Sequence, residues 1–297
     1  MRFVNLSGRL TLARDAAGVD VHDASDGRLP ADPHDAFAVW PTVVDWARAY
    51  TAPFDLDLRD GPVGPPSPRP TQVFALGANY ADHAAEAGIP KPEVPLVFPK
   101  LLPSVAGPYA DIVSSASEID WEIEVVVVMG RRARRVSAED AWSHVAGITG
   151  GQDFSSRDIQ MRPAANPQHT LGKSLPGFGP IGPALVTIDE FDDPNDIELA
   201  CWVNGEEVQR SRTSNLIYSV PEIIAYLSAA TTLLPGDVLF TGTPAGVGMA
   251  RSPQRYLSPG DVVDSYVERV GRMRHRFVEE EHELAVEEPS AVLSPNA

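Results

Sequence analysis

Three carboxylates fall in two strand-like segments of this 297-residue chain: Glu122 and Glu124 in Glu122-Ile123-Glu124, and Asp153 closing the stretch from Val145 to Gln152. Side chains at i and i+2 of a strand share a face, so Glu122 and Glu124 stand side by side. The run continues as Val125-Val126-Val127-Val128-Met129, which reads as a buried strand and places part of that face inside the protein. Carboxylates gathered away from water repel one another, at a cost of several kcal/mol per ion unless protons or a cation compensate. A hard divalent cation with oxygen ligands is the natural compensation. Mg²⁺ is the usual occupant of a site that keeps waters and substrate oxygens, with Mn²⁺ or Ca²⁺ as substitutes. A solvated strand edge is the plainer reading of an E-x-E pair, and on these residues alone it stays open.

Asp153 is followed by Arg157 and Gln160, and then by Gly172-Lys173-Ser174. Arg157, Gln160 and Lys173 bring hydrogen-bond donors near the acidic group, which suits an anionic or enolate-forming substrate. A surface ion pair for Arg157 and simple solvation for Lys173 are the alternatives. His83 and Glu86 are three apart in a helical-looking stretch, where such side chains meet. A carboxylate that orients an imidazole makes a general base able to activate water, worth roughly 10²–10⁴ in rate. A surface histidine is the competing reading there, and His169 has no motif around it.

The elements that must position these residues are mostly strands. Residues 1–60 read as a small N-terminal module, with a hairpin (Arg9–Ala13, then Gly18–Val21) and a short helix around Val43–Tyr50. The Pro/Gly-rich stretch 61–70 reads as a linker. Region 71–278 carries the candidate residues. Within it Asn204-Gly205 marks a two-residue hairpin, Ser219-Val220-Pro221-Glu222 a capping box opening a helix, and Ser137–Asp140 the start of a shorter helix. Leu234-Pro235-Gly236-Asp237 turns into the strand Val238-Leu239-Phe240, which delivers a Gly-rich loop from Gly242 to Gly248. Turn Ser258-Pro259-Gly260-Asp261 precedes a last pair of strands, and 279–297 reads as an acidic, flexible tail. The expected class is mainly β with short helices (α+β), without regular βαβ alternation.

Composition narrows the functions. The formal charge of −17, from 41 acidic and 24 basic residues, disfavours nucleic acid and anionic membranes as partners. No apolar run is long enough to span a bilayer, and the N-terminus lacks a signal-peptide core. Cys201 is the single cysteine, so nothing points to an oxidising compartment, and a cytoplasmic location is the expectation. The loop after Phe240 is neither a nucleotide cradle nor a serine-hydrolase elbow.

Five motifs stand in one order: Gly77-Ala78-Asn79-Tyr80-Ala81-Asp82-His83; Asp120-Trp121-Glu122-Ile123-Glu124; Asp153 to Gln160; Gly172-Lys173-Ser174; and Thr241-Gly242-Thr243-Pro244-Ala245-Gly246-Val247-Gly248. In this the chain resembles the fumarylacetoacetate hydrolase family from about Thr71 to Val278. The resemblance implies a mixed β-sandwich roll, usually a homodimer, with Glu122, Glu124 and Asp153 as metal ligands. It implies His83 and Glu86 on a lid helix as base and orienter, Lys173 beside the enolate, and Arg157, Gln160 and Thr243 against substrate. Leu175-Pro176 depart from the family pattern, which points to a reshaped pocket wall, and Asn215 stands where an aspartate is common, which removes one charge near a substrate or dimer surface. The expected reaction is Mg²⁺-dependent hydrolysis of a C–C bond in a small β-diketo or acylpyruvate-type acid. Decarboxylation of a β-keto acid such as oxaloacetate is the first alternative and isomerisation of an unsaturated keto acid the second. A non-catalytic binding protein on the same fold is the reading from another class.

Overall fold

In a computed structural model, residues 1–86, 88 and 90–279 are described. Residues 87 and 89 of the expected lid loop and nearly all of the acidic tail lie outside them. The strands used below are β1 (Arg2–Leu6), β2 (Arg9–Arg14), β3 (Ala17–Asp20), β4 (Val73–Gly77), β5 (Leu96–Pro99), β6 (Ile123–Met129), β7 (Val145–Gln152), β8 (Gly179–Val186), β9 (Glu198–Val203), β10 (Glu206–Arg212), β11 (Val238–Phe240), β12 (Val262–Val267) and β13 (Gly271–Val278). The helices are α1 (Trp40–Ala49), α2 (Ala81–Glu86), α3 (Arg157–Gln160), α4 (His169–Gly172) and α5 (Val220–Ala230).

A 12-stranded sheet runs β3-β2-β1-β8-β7-β6-β11-β4-β5, with short pieces at its margins. A five-stranded sheet, β10-β9-β12-β13 plus Ile112–Val113, lies against one of its faces. Strand β6 explains the layering. Its odd residues Ile123, Val125, Val127 and Met129 enter the core shared with Leu199, Cys201, Val263 and Phe277 of the second sheet. Its even residues Val126 and Val128 join Phe3, Leu12, Trp40, Val43, Ile181 and Phe240 on the opposite face, beneath α1. A strand covered on both faces must be apolar at every position, which accounts for the unbroken valine run. The mixed, mainly β architecture with short helices agrees with the expected α+β class.

Local signals translate directly. Asn204 and Gly205 take φ of 51° and 83° and connect β9 to β10, the paired positive values of a type I′ turn. The Ser219/Glu222 capping box forms at the start of α5, which buries Ile223, Ile224 and Leu227. The helix expected from Ser137 is a correction. Ser137 and Asp140 do bond to each other, but only a 3₁₀ turn, Ala141–His144, follows before the chain enters β7. Pairing of β7 along the whole of β6 takes over where a second helical turn would begin.

Candidate active site

The sheet register brings the acidic residues together. Ile123 pairs with Gln152 and Glu124 with Gly151, and the Asp153 N–H donates to the Glu122 carbonyl at 2.9 Å, extending the ladder by one step. Directly opposed residues share a face, so Asp153 joins Glu122 and Glu124 on it. One ligand atom from each of the three lies within 4.8 Å of the other two, and all three are buried. Glycine at 151 matters here. A Cβ opposite Glu124 would stand 2.6 Å from Val126 Cγ2 and 2.8 Å from Phe240 Cε1.

Three buried cations face these carboxylates. Lys173 Nζ donates to Glu122 Oε2 (2.5 Å), Asp153 Oδ2 (2.8 Å) and Ser155 Oγ (2.8 Å). Lys100 Nζ donates to Asp153 Oδ1 at 2.5 Å and to the Lys173 carbonyl. Arg157 donates to Glu122 Oε1 (2.7 Å), Asp120 Oδ2 (2.9 Å) and Gln160 Oε1 (2.7 Å). The four carboxylates Asp120, Glu122, Glu124 and Asp153 thus oppose Lys100, Arg157 and Lys173, leaving one negative charge when Glu124 is ionised.

The carboxylates are not equivalent. Burial pushes Glu122 up, but Lys173 and Arg157 outweigh it and hold the group at about 2. Glu124 is driven well above the usual carboxylate range by burial and by Asp153 and Glu122, which outweigh a backbone bond from Gly242 N–H and the Lys173 charge. Its Oε1 is buried without a hydrogen-bond partner. A buried carboxylate oxygen without a partner, with two further carboxylates within ligand distance of it, is a place a hard cation can fill, and the three residues fit one. A divalent ion there would turn the local charge from −1 to +1, the sign an anionic substrate requires. For Lys173 burial works downward, yet Asp153 and Glu122 raise it, whereas burial wins at Lys100 and lowers it.

A cavity of about 310 Å³ opens beside the cluster, lined among others by His83, Phe98, Glu122, Arg157, Gln160, Lys173 and Thr243. His83 lies on α2 with its Nδ1 2.9 Å from Glu86 Oε1, and its side chain is 12% exposed. The Glu86 carboxylate also accepts from Gly246 N–H at 3.0 Å, so the glycine-rich loop and the helix carrying His83 are tied at one point. That loop follows β11. Its Thr243 hydroxyl donates to the Ile123 carbonyl and accepts from Gln209, and Gly248 N–H reaches Asp120 Oδ1.

All nine sequence candidates are therefore near the cavity or its acidic floor, and the three expected against substrate, like Lys173 with its bonds to Glu122, Asp153 and Ser155, have their polar groups engaged within the protein. Arg157 and Gln160 are engaged with each other and with Asp120, Glu122 and His169, and Thr243 with the backbone of Ile123. Sequence reading gave no role to Lys100 or Asp120 and left His169 unassigned. Lys100 follows the apolar strand β5, where a lysine normally reads as a solvated end, and its partner Asp153 is 53 residues away. Asp120 was visible as the first residue of its motif, without a signal for its Arg157 pairing.

Comparison with known proteins places the chain. Residues 72–278 match the model of the fumarylacetoacetate (FAA) hydrolase C-terminal region. The human protein named oxaloacetate tautomerase FAHD2A, mitochondrial, is 42% identical over 215 residues, 72% of this chain and 68% of the relative. A provisionally named HpcE protein from Mycobacterium smegmatis superposes with a TM-score of 0.91 at 49% identity, covering 95% of this chain and all of that one. A fumarylacetoacetate hydrolase from Exiguobacterium antarcticum gives 0.77 at 30% identity, covering 94% of this chain and 100% of its own. The chain belongs to the fumarylacetoacetate hydrolase family.

Proposed function

We propose that this protein is a divalent-metal-dependent enzyme that interconverts the keto and enol forms of a small dicarboxylic 2-keto acid of the oxaloacetate type. The observation that carries the reading is the pairing of an oriented imidazole, His83, with a cation-rich acidic floor across one small cavity. The likeness to a relative named oxaloacetate tautomerase supports the same substrate class.

Keto–enol exchange needs a base that removes a proton from the carbon beside the ketone and returns it to oxygen. With Nδ1–H held on Glu86, His83 presents the Nε2 lone pair for that purpose. The charge that develops on the substrate oxygen lies beside the Lys173 ammonium, itself fixed by Glu122, Asp153 and Ser155. Mg²⁺ held by Glu122, Glu124 and Asp153 would supply Lewis-acid polarisation of the ketone. Arg157 acts one step back, fixing Glu122 and Gln160. The family resemblance supports a homodimer as the working assembly.

C–C hydrolysis is the second reading, favoured by the His83–Glu86 pair, since an oriented imidazole also activates water, and by the likeness to the Exiguobacterium antarcticum hydrolase. One experiment separates the readings. With Mg²⁺ in D₂O, oxaloacetate should gain deuterium at C3 much faster with enzyme than without, while its concentration holds, and His83→Asn should abolish the acceleration. Pyruvate accumulating instead would replace the proposal with decarboxylation. An acylpyruvate split into two acids, without exchange on oxaloacetate, would replace it with hydrolysis.

A further inference from the structure

His169 on α4 is the second histidine of the cavity, and the chemistry above does not use it. Its protonation can be read from its neighbours. Arg157 has only donors, so the Gln160 oxygen that accepts from it must be Oε1, at 2.7 Å. The Gln160 amide nitrogen is thereby turned to His169 Nδ1, 2.9 Å away, and an amide nitrogen only donates. Nδ1 is therefore the acceptor of the imidazole, and in the neutral ring the proton sits on Nε2. His83 has the opposite arrangement, with Nδ1–H on Glu86 and a bare Nε2. Among the described residues, the two cavity histidines are held as complementary tautomers, one offering a lone pair and the other a proton.

His169 stands where the charged floor meets an apolar wall. Its ring stacks on Phe98 with centroids 5.3 Å apart, and the Lys173 ammonium lies 5.6 Å from the centroid of the same phenyl ring. The apolar lining of the cavity includes Leu96, Phe98, Met161 and Pro167. A substrate with its keto acid end at the acidic floor would have its other end within the same cavity as His169. Burial and the nearby Lys173 ammonium lower the His169 pKa, which keeps the ring in the neutral, single-donor form.

We infer that His169 is a substrate-binding residue whose Nε2–H receives the distal carboxylate of a dicarboxylic 2-keto acid, so that it selects diacids over monoacids. The inference rests on the substrate class proposed above and assigns the residue that reads its second carboxylate. A hydrogen-bond donor set in an apolar wall discriminates strongly, because a ligand without the acceptor leaves it unpaired.

The test titrates the Mg²⁺-loaded protein with oxaloacetate and with pyruvate, whose methyl hydrogen replaces the second carboxylate. Ligand-observed NMR reads the two ligands separately. His169→Phe keeps a ring on Phe98 and removes the N–H, and His169→Gln restores an amide N–H at about the same reach. The phenylalanine variant should bind oxaloacetate roughly tenfold or more weakly, the worth of a hydrogen bond to a charged group, with pyruvate affinity held within about twofold. The glutamine variant should recover most of the difference. ¹⁵N spectra of the wild-type histidine rings should show His169 protonated at Nε2, a readout independent of how either variant folds. Equal losses for both ligands, no loss for either, or a proton on Nδ1 would overturn the inference. If wild type fails to exchange the oxaloacetate protons but the phenylalanine variant still loses the diacid selectively, the tautomerase reading falls and the role of His169 stands. With exchange intact and selectivity unchanged, the role of His169 falls alone.

Discussion

Glu124 bonds Gly242 N–H through Oε2, while its buried Oε1 has no partner and Asp153 and Glu122 stand beside it. Its pKa in the folded protein lies well above the ordinary carboxylate value of 4.5, so the native state keeps a proton that the unfolded chain has released. Where the native state binds more protons, stability falls as pH rises, from the unfolded pKa up to the folded one. In metal-free protein, Glu124→Gln should therefore gain stability relative to wild type as pH rises above about 4.5 through that window. Melting temperatures of the two proteins across pH, in the presence of a chelator, check this, and parallel curves would mean that Glu124 titrates normally. A divalent ion reverses the order. It binds the ionised carboxylate and stabilises wild type by about 2.7 kcal/mol at a hundredfold excess over Kd. Glu124→Gln should lose most of that rise, and an undiminished Mg²⁺ effect on its melting temperature would remove Glu124 from the ligand set.

At the scale of elements, the site is held by close backbone contacts that leave no room for a methyl group. A Cβ on Gly172 would sit 2.6–2.8 Å from the Cβ, Cα and N of Gln160, so α4 rests directly on α3. Gly172→Ala must part the two helices that carry Gln160 and His169, and with them Lys173, which directly follows the second. Overpacking of this kind costs about 1–3 kcal/mol. The variant should melt lower and lose kcat/KM by tenfold or more, as roughly an ångström of misplacement costs about 10²-fold in a positioned site. A wild-type melting temperature with wild-type kinetics would show that the helices separate freely. This contact also marks where sequence reading stops. The Asn204-Gly205 turn and the Ser219/Glu222 box are complete within four residues, so their chemistry is printed locally. The pairing of Glu122 with Glu124 follows from the two-residue period of a strand. Lys100 on Asp153, Arg157 on Asp120 and His169 on Gln160 depend on how separate segments fold back, and no local period records that. The helix expected from Ser137 fell short for a related reason, since pairing of β7 with β6 overrode a sound local start.

Across the whole molecule, the N-terminal residues are built into the sheet that carries the carboxylates. Strand β1 lies between β2 and β8, with Phe3 opposite both Leu12 and Leu185. No helix among the described residues is long and apolar enough to cross a membrane, and the apolar surface of this segment turns inward instead. Phe3, Leu10, Leu12, Val19, Val21, Phe37, Trp40 and Val43 pack with Val126, Val128, Ile181, Leu185 and Phe240, on the face at whose end Glu124 emerges. The sequence marked 1–60 as a unit and 61–70 as its boundary, but composition could not reveal that the unit pairs with a strand some 180 residues later. Fully burying one large apolar side chain is worth about 1.5–3 kcal/mol. Losing the partners of even five such residues removes roughly 7–15 kcal/mol, comparable to the ~5–15 kcal/mol that keeps a whole domain folded. Strand β8 would also be left with an open edge, which invites pairing between chains. A fragment of residues 71–279 should accordingly be insoluble, or lack a cooperative melting transition, where the full chain is soluble and cooperative. Circular dichroism and sedimentation of the two decide it: a soluble fragment melting within about 3 °C of the full chain, a shift worth roughly 1 kcal/mol at this size, would mean that the segment is an appendage the catalytic region can do without.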